Sequence, residues 1–459
     1  MSSKHTFPTQ EGTSRVKRSA WRAGLSVTTG GKGVVAHAGA RLLCDLADEL
    51  GLSGGLSEAM APTKKRRRGH DRGRVLVDLA VAVADGATTL SDLRVLNQQP
   101  QLFGEVASVS TTWRTLEAID QAGLARIAMA RAEARRTAWA EGMDPGFYVI
   151  DIDGTLVTSD SDFKQGAAAT YKKGFGFYPL MSYLDATGEP LAGKLRSGNA
   201  GSGTADDYVE VLDDSLAQLP VNPAEAEIIA RSDSAGCSHD FLDACRERQV
   251  RFCVGHRLTE AMAQAVISLP ERSWIPALSA DGSDVRDGAE VAEITHLVDL
   301  SGWPPGARAI ARREDPHPGA QLTFTDVDGH RYQVFLTDLA DPDICYLEGI
   351  YRGRGRAECY IRDAKDTGLA NLPSADFAIN QAWLTVVLVA GDLLATLRGL
   401  CLEGDLARAE PKRLRYCLLH APGVLIHSAR RTILRIADAW PWADELVGAF
   451  GRLPNWAIT

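Results

Sequence analysis

Several common structural devices are missing from this 459-residue chain. Its eight cysteines, at 44, 237, 245, 253, 345, 359, 401 and 417, form no CxxC pair and no Cys/His cluster with zinc spacing. Scattered thiols in a long chain argue for a reducing cytoplasm rather than a disulfide framework. The N-terminus is polar and lacks the apolar stretch of a secretory signal. The longest uncharged apolar-rich run, Phe377 to Gly391, has 15 residues. A membrane span needs about 20, so a buried helix is expected there. Excess positive charge is also lacking: the net charge of −9 excludes a wholly basic nucleic-acid coat, while leaving room for a local basic groove over an acidic site. The hydrophobic content of 45% is that of an ordinary globular protein with a large core.

Positive charge is instead concentrated in places. Arg15 to Arg22 packs four cations into eight residues, and Lys64, Lys65, Arg66, Arg67, Arg68, Arg72 and Arg74 fall within eleven, with Asp71 the one acid among them. Beside an amphipathic helix, the second run reads as a nucleic-acid contact and the first as a tail or a basic arm. Ser108 to Leu116, with Ser110 as N-cap and Trp113 and Arg114 following, reads either as a plain helix start or as a recognition helix. Residues 1–144 are thus expected to be an all-helical, partly basic unit.

At Asp144-Pro145-Gly146 the texture changes. Phe147 to Asp153 is a β-branched and aromatic strand ending in acids. Strands are expected at Phe177–Leu184, with Pro179 marking an irregular position, and at Leu191–Leu195. A helix over Thr204–Leu219, a strand Ile228–Asp233, a helix His239–Arg248 and a strand Val250–Val254 follow. The order is β-β-β-α-β-α-β, with acids ending the first and fourth strands. Residues 257–345, with Trp274, Trp303 and a hairpin signal at Asp328-Gly329, read as a mostly β insertion. A helix from Asp376 to Leu400 and a helical tail from Leu406, carrying Arg430, Arg431 and Arg435, complete the chain.

Tyr351, Arg354, Glu358 and Lys365 are spaced 0, 3, 7 and 14. On a helix they fall at roughly 0°, −60°, −20° and −40°, one narrow polar arc. Gly353 and Gly355 weaken its first turn. A carboxylate, two cations and a phenol together suit a metal ion beside a phosphate. A sheet of the expected order can set Asp153 beside Asp233, with Glu358 above them. Three such carboxylates need a cation between them, and hard oxygen ligands suit Mg²⁺ or Mn²⁺. Asp151 projects from the same strand face as Asp153, as a second ligand or a structural acid. Glu348 lies outside the spacing, and His239 reads as a capping or surface histidine.

The spacing Tyr-x2-Arg-x3-Glu-x6-Lys, with Asp153-Gly154-Thr155 and Ser232-Asp233 ahead of it, resembles the signature of bacterial insertion-sequence DDE transposases of group 1 type. Lys172 to Pro179 and Leu195 to Asn199 resemble one of their subgroups. The resemblance implies an α/β fold, with an RNase H-like core over 145–256 and 346–400. A β-rich insertion at 257–345 would interrupt it, between an N-terminal helical DNA-binding region, 1–144, and a helical C-terminal region, 401–459. It implies Asp153, Asp233 and Glu358 as catalytic metal ligands for two Mg²⁺ or Mn²⁺ ions, and Tyr351, Arg354 and Lys365 on DNA. A tryptophan of the insertion, Trp274 or Trp303, would stack on an unpaired base. The implied partners are terminal inverted repeats, target DNA and a second copy of the chain when two ends are paired, in the bacterial cytoplasm and with no membrane. Two rivals stand beside this reading. Val149 to Val157 also resembles the DxDGT strand of haloacid dehalogenase-type phosphatases, with Asp151 as nucleophile, and a DNA-binding regulator with an inactive core would share the N-terminal features.

Overall fold

The structure, a computed structural model, describes residues 30–453 except 65–68, 171–172, 202–203, 280–281, 316–325, 328 and 429–430. Lys65, Arg66, Arg67, Arg68, Lys172, Arg430 and the run Arg15–Arg22 therefore lie outside the described residues.

Helices α1 (Ala40–Glu49), α2 (Leu52–Met60) and α3 (Arg72–Ala84) come first. Asp71, within the basic run, is the N-cap of α3 and accepts from the Arg74 amide, which satisfies one of the donors that a helix start leaves open. Gly73 lies so close to α2 that a Cβ there would fall 2.1 Å from the Ser57 nitrogen. Helices α4 (Val109–Glu117) and α5 (Gln121–Ala138) follow. The N-cap of α4 is Ser108, two residues before the expected Ser110, and its hydroxyl accepts from Thr111.

The sheet is mixed and ten-stranded. In chain order its main strands are β1 (Tyr148–Gly154), β2 (Leu180–Leu184), β3 (Pro190–Lys194), β4 (Ile228–Ser232), β5 (Arg251–His256), β6 (Ile275–Leu278), β7 (Val285–Glu293), β8 (Arg308–Glu314) and β9 (His330–Thr337). They lie side by side as β3-β2-β1-β4-β5-β9-β8-β7-β6. β1 runs antiparallel to β2 and parallel to β4, and β4 runs parallel to β5. Helix α6 (Ala205–Gln218) joins β3 to β4, and α7 (His239–Glu247) joins β4 to β5, the expected alternation. The expected strand over Phe177–Leu184 is broken around Pro179: Phe175–Phe177 pairs in a separate three-stranded sheet, and β2 begins at Leu180. A proline cannot donate to a ladder, so pairing stops there.

The insertion does not form a separate layer. β9 pairs antiparallel with β5, so β6–β9 extend the main sheet. It also holds a helix, Glu260–Ser268, that the strand-like texture of this region did not reveal. Helices α8 (Ile344–Arg352) and α9 (Gly355–Ala364) follow β9, then α10 (Phe377–Thr396), capped by Asp376 on the Ala378 and Ile379 amides. Continued to Cys401, this helix is long and apolar enough to cross a membrane. Here it is the central core helix, buried nearly all round against α3, α4, α5 and β3, as an all-apolar surface requires. Arg131 and Arg135 of α5, both buried, pair with Asp392 of α10, and Arg135 also pairs with Glu189 beside β3. One continuous core includes residues from α1 to the C-terminal helix.

The two end regions depart from the helical expectation. Val34–Val35 pairs with the hairpin of strands β10 (Gly423–Ser428) and β11 (Arg431–Ile436). Along Gly423–Ile426 burial alternates between buried and half-buried, the period of two of a strand, and Arg431 and Arg435 lie on the second strand.

Candidate active site

The parallel register of β1 and β4 pairs Asp151 with Arg231 and Ile152 with Ser232. One residue further on, Asp153 and Asp233 leave the two strand ends side by side. Local chemistry fixes each carboxylate. An Asp153 oxygen accepts from the Gly154 amide at 2.8 Å, and an Asp233 oxygen accepts from the Ala235 amide at 2.9 Å. Glycine is required at 154 because a Cβ would fall 2.6 Å from the Tyr178 ring, and at 236 because it would fall 2.3 Å from the Ser232 hydroxyl. The Asp-Gly-Thr and Ser-Asp-Ser-Ala-Gly stretches are therefore close-packed turns that aim an acid off a strand end.

Glu358 is on the first turn of α9, its side chain 70% exposed. Arg354 bridges the set, with its guanidinium 4.0 Å from Asp153 and 3.9 Å from Glu358. Burial pushes the Asp153 carboxyl up to about 6; the Asp233 and Glu358 charges add to the rise, and Arg354 opposes it. The Arg354 guanidinium thus lies between Asp153 and Glu358.

The polar arc is only partly one helix. α8 ends at Arg352 and α9 begins at Gly355, with Gly353 and Arg354 keeping right-handed helical backbone between them. Tyr351 belongs to α8. Its ring stacks on Phe335 of β9 at 4.6 Å, and its hydroxyl lies 2.4 Å from where a Cβ on Gly255 would be. Lys365 is the C-cap of α9 and half-buried.

The acids that flank the arc have structural partners. Asp151 is fully buried, and Arg231 holds it with two bonds of 2.6 and 2.7 Å. Arg231 also reaches Asp185 at 2.9 Å and donates to the Ile350 carbonyl, while Arg356 of α9 grips Asp185 from the other side. This chain of two carboxylates and two guanidiniums clamps the α8–α9 corner to β1, β2 and β4. Asp151 is thereby unavailable as a nucleophile, and the antiparallel β1–β2 pairing removes the parallel alternation a haloacid dehalogenase-type phosphatase needs. Sequence reading missed Arg231, Asp185 and Arg356. The signal was present, since aligning the two strand ends at Asp153 and Asp233 sets Asp151 opposite Arg231. Glu348 is buried against Arg312 and Arg352.

The tryptophans separate. Trp274 is buried beneath Arg313, 4.5 Å above its ring, and packs on Tyr332. Trp303 is half-buried, stacks on His239 at 4.0 Å and meets the edge of His256. His239 is in the first turn of α7 behind its N-cap Ser238, and bonds the Gly302 carbonyl. A groove lined by Asp233, His256, Arg257 and Asn199 runs beside them.

Of the basic residues, Lys64 is exposed, whereas Arg72 donates to the Thr63 carbonyl and Arg74 pairs with Asp48 and Asp78. On α4, Trp113 is half-buried against the core and Arg114 is exposed.

The chain belongs to the family described as transposase DDE domain, group 1, whose model matches residues 18–457. It is a DNA transposase. No curated protein matches it. Among solved structures it bears a loose likeness to a piggyBac transposase synaptic complex with hairpin DNA, at 9% identity and a TM-score of 0.38, covering 83% of this chain and 80% of that one.

Proposed function

We propose that this transposase binds the terminal inverted repeats of its element and cuts and joins DNA at Asp153, Asp233 and Glu358. The observation that carries this reading is the adjacency of Asp153 and Asp233 at the ends of β1 and β4, with Arg354 between Asp153 and Glu358 of α9. The five strands β3-β2-β1-β4-β5, three antiparallel and then two parallel, support an RNase H-like core that the β6–β9 segment interrupts. Three carboxylates against one guanidinium leave a surplus of negative charge that fits a pair of divalent cations, Mg²⁺ or Mn²⁺. When bound, such ions supply Lewis acidity to the attacking and leaving oxygens of an in-line displacement.

The chain's own residues would divide the remaining work. Asp153 and Asp233, fixed by their turns, form a rigid floor. Glu358, exposed on α9, is the adjustable third ligand. Arg354 neutralises the acids until DNA arrives and then turns to a phosphate, with Lys365 further along the helix. Tyr351 acts chiefly by packing the corner. Water would nick the element's end, and the freed 3′-hydroxyl would attack target DNA in the same site. Trp303, beside the Asp233 groove, is the better placed of the two tryptophans to stack on an unpaired base, since Trp274 is occupied by Arg313. Lys64 with Lys65, Arg66, Arg67 and Arg68, and Trp113 with Arg114 on α4, would hold the DNA flank. Pairing of two ends calls for a homodimer, acting in the bacterial cytoplasm on the nucleoid.

Glu358→Ala tests the assignment. With Mg²⁺ and cognate end DNA, the variant should bind in a mobility-shift assay as the wild type does and give no nicked product. Cleavage by the purified variant would refute it.

A further inference from the structure

A second cluster of ligating side chains lies on other elements. Asp85 caps the C-terminus of α3, His37 precedes α1, and His420 follows the turn Arg415–Leu419 ahead of the C-terminal hairpin. His37 Nδ1 lies 2.6 Å from Asp85 Oδ2. His420 Nε2 lies 2.9 Å from the Asp85 carbonyl and 3.3 Å from its Oδ1. The two imidazole rings are 4.3 Å apart. All three ligand atoms fall within 4.8 Å of one another, and this trio alone does so among the described histidines, cysteines and acids.

Two observations set the cluster apart from an ordinary ion pair. Asp85 is 6% exposed, and its buried Oδ1 makes no well-aligned hydrogen bond, meeting His420 Nε2 only at 3.3 Å while that nitrogen bonds the Asp85 carbonyl. His37 also holds a left-handed backbone, φ 54°, which a residue with a Cβ rarely adopts. Such a conformation persists only where the surroundings impose it. Here Ala38 bonds Ala421, and a Cβ on Gly39 would lie 2.1 Å from the Leu418 carbonyl, so the two chain ends are pressed together at this point. The neighbouring cation, Arg415, is committed to the carbonyls of Ala84 and Asp366.

We propose that His37, Asp85 and His420 form a binding site for a transition-metal ion of the zinc class, which joins the N-terminal segment to the C-terminal hairpin. Two imidazoles and a carboxylate suit Zn²⁺ or Co²⁺ and do not suit Mg²⁺. Bonds of about 2.0–2.1 Å at tetrahedral angles put ligand atoms about 3.3 Å apart. The His420 Nε2–Asp85 Oδ1 separation already has that value, while His37 Nδ1 lies 2.6 Å from the other oxygen, Oδ2, so the carboxylate must turn for one ion to meet all three side chains. His420, the most exposed of the three, leaves a fourth position for water. The site does not depend on the reading of Asp153, Asp233 and Glu358. It would act as a staple, because the three ligands are held together only in the native fold.

Full-length protein stripped of metals with chelator and titrated with Co²⁺ tests this. One equivalent should develop the strong visible absorption of tetrahedral nitrogen and oxygen ligation, which oxygen ligation at the three acids would not give. Zn²⁺ should displace it and raise the Tm. His420→Asn, on the exposed rim, keeps the fold and all eight cysteines, and should weaken Co²⁺ binding by at least about tenfold and abolish the Zn²⁺-dependent rise in Tm. Should His37→Ala fail to fold, His420→Asn gives the same readout. No absorption from the wild type, or an undiminished one from His420→Asn, would overturn the proposal; thiolate-type bands would place the metal on cysteines instead and overturn it as well.

Discussion

Arg231→Met removes the cation at the centre of the clamp behind the candidate active site. Arg231 is 1% exposed and Asp151 fully buried, so the carboxylate left behind has no water to turn to. Asp185 keeps Arg356, which leaves Asp151 as the orphan. Breaking a buried pair in this way costs about 3–5 kcal/mol, a large share of the roughly 5–15 kcal/mol that hold a typical protein folded. The double variant Asp151→Leu/Arg231→Met removes both charges and should recover most of that loss, since an apolar pair of similar volume is often neutral. Urea unfolding followed by circular dichroism measures the three proteins. The reasoning fails if the single variant loses less than about 1 kcal/mol, or if the double variant is no more stable than the single. Function should follow the same geometry. Arg231 also holds the Ile350 carbonyl just before the corner, so at a temperature where the single variant is folded, DNA cleavage should fall further than end binding. Gly353→Ala should mimic it, because the added Cβ would sit 2.5 Å from the Arg231 guanidinium.

The two tryptophans should respond differently to truncation: Trp274→Ala should cost about 3–5 kcal/mol in urea unfolding, while Trp303→Ala should keep the fold and reduce cleavage of end DNA. Equal losses of stability would contradict their placement. Asp78→Asn should show a pH-dependent gain in stability. Burial against α1 and α2 lifts the Asp78 carboxyl to about 6, with Arg74 opposing, so in the folded state it holds its proton more tightly than in the unfolded state. Its ionised form therefore costs stability above about 6, and the cost fades as pH falls towards 4. Melting curves of the variant and wild type should differ at pH 7.5 and converge near pH 4; a constant difference would refute this.

The hydrophobic runs and turn residues of the chain determine the order of the core elements. Phe147–Asp153 and Ile228–Asp233 announce strands ending in acids, and the spacing from Tyr351 to Lys365 announces a helical polar face. Those signals are local, so they survive without an alignment or a fold. The C-terminal hairpin escaped because its partner, Val34–Val35, is almost four hundred residues away, and a short two-stranded hairpin is marginal without a third strand. The insertion's role as an extension of the main sheet escaped for a similar reason: the pairing of β9 with β5 is set by tertiary docking. The surroundings of individual acids were decided by the parallel register of β1 and β4. It sets Asp151 against Arg231 and leaves Asp153 and Asp233 at the strand ends, Asp153 facing Arg354. Sequence alone names acids of the right type; burial and the nearest cation decide which of them remain free to do chemistry, because an ionised carboxylate inside a protein must be paired.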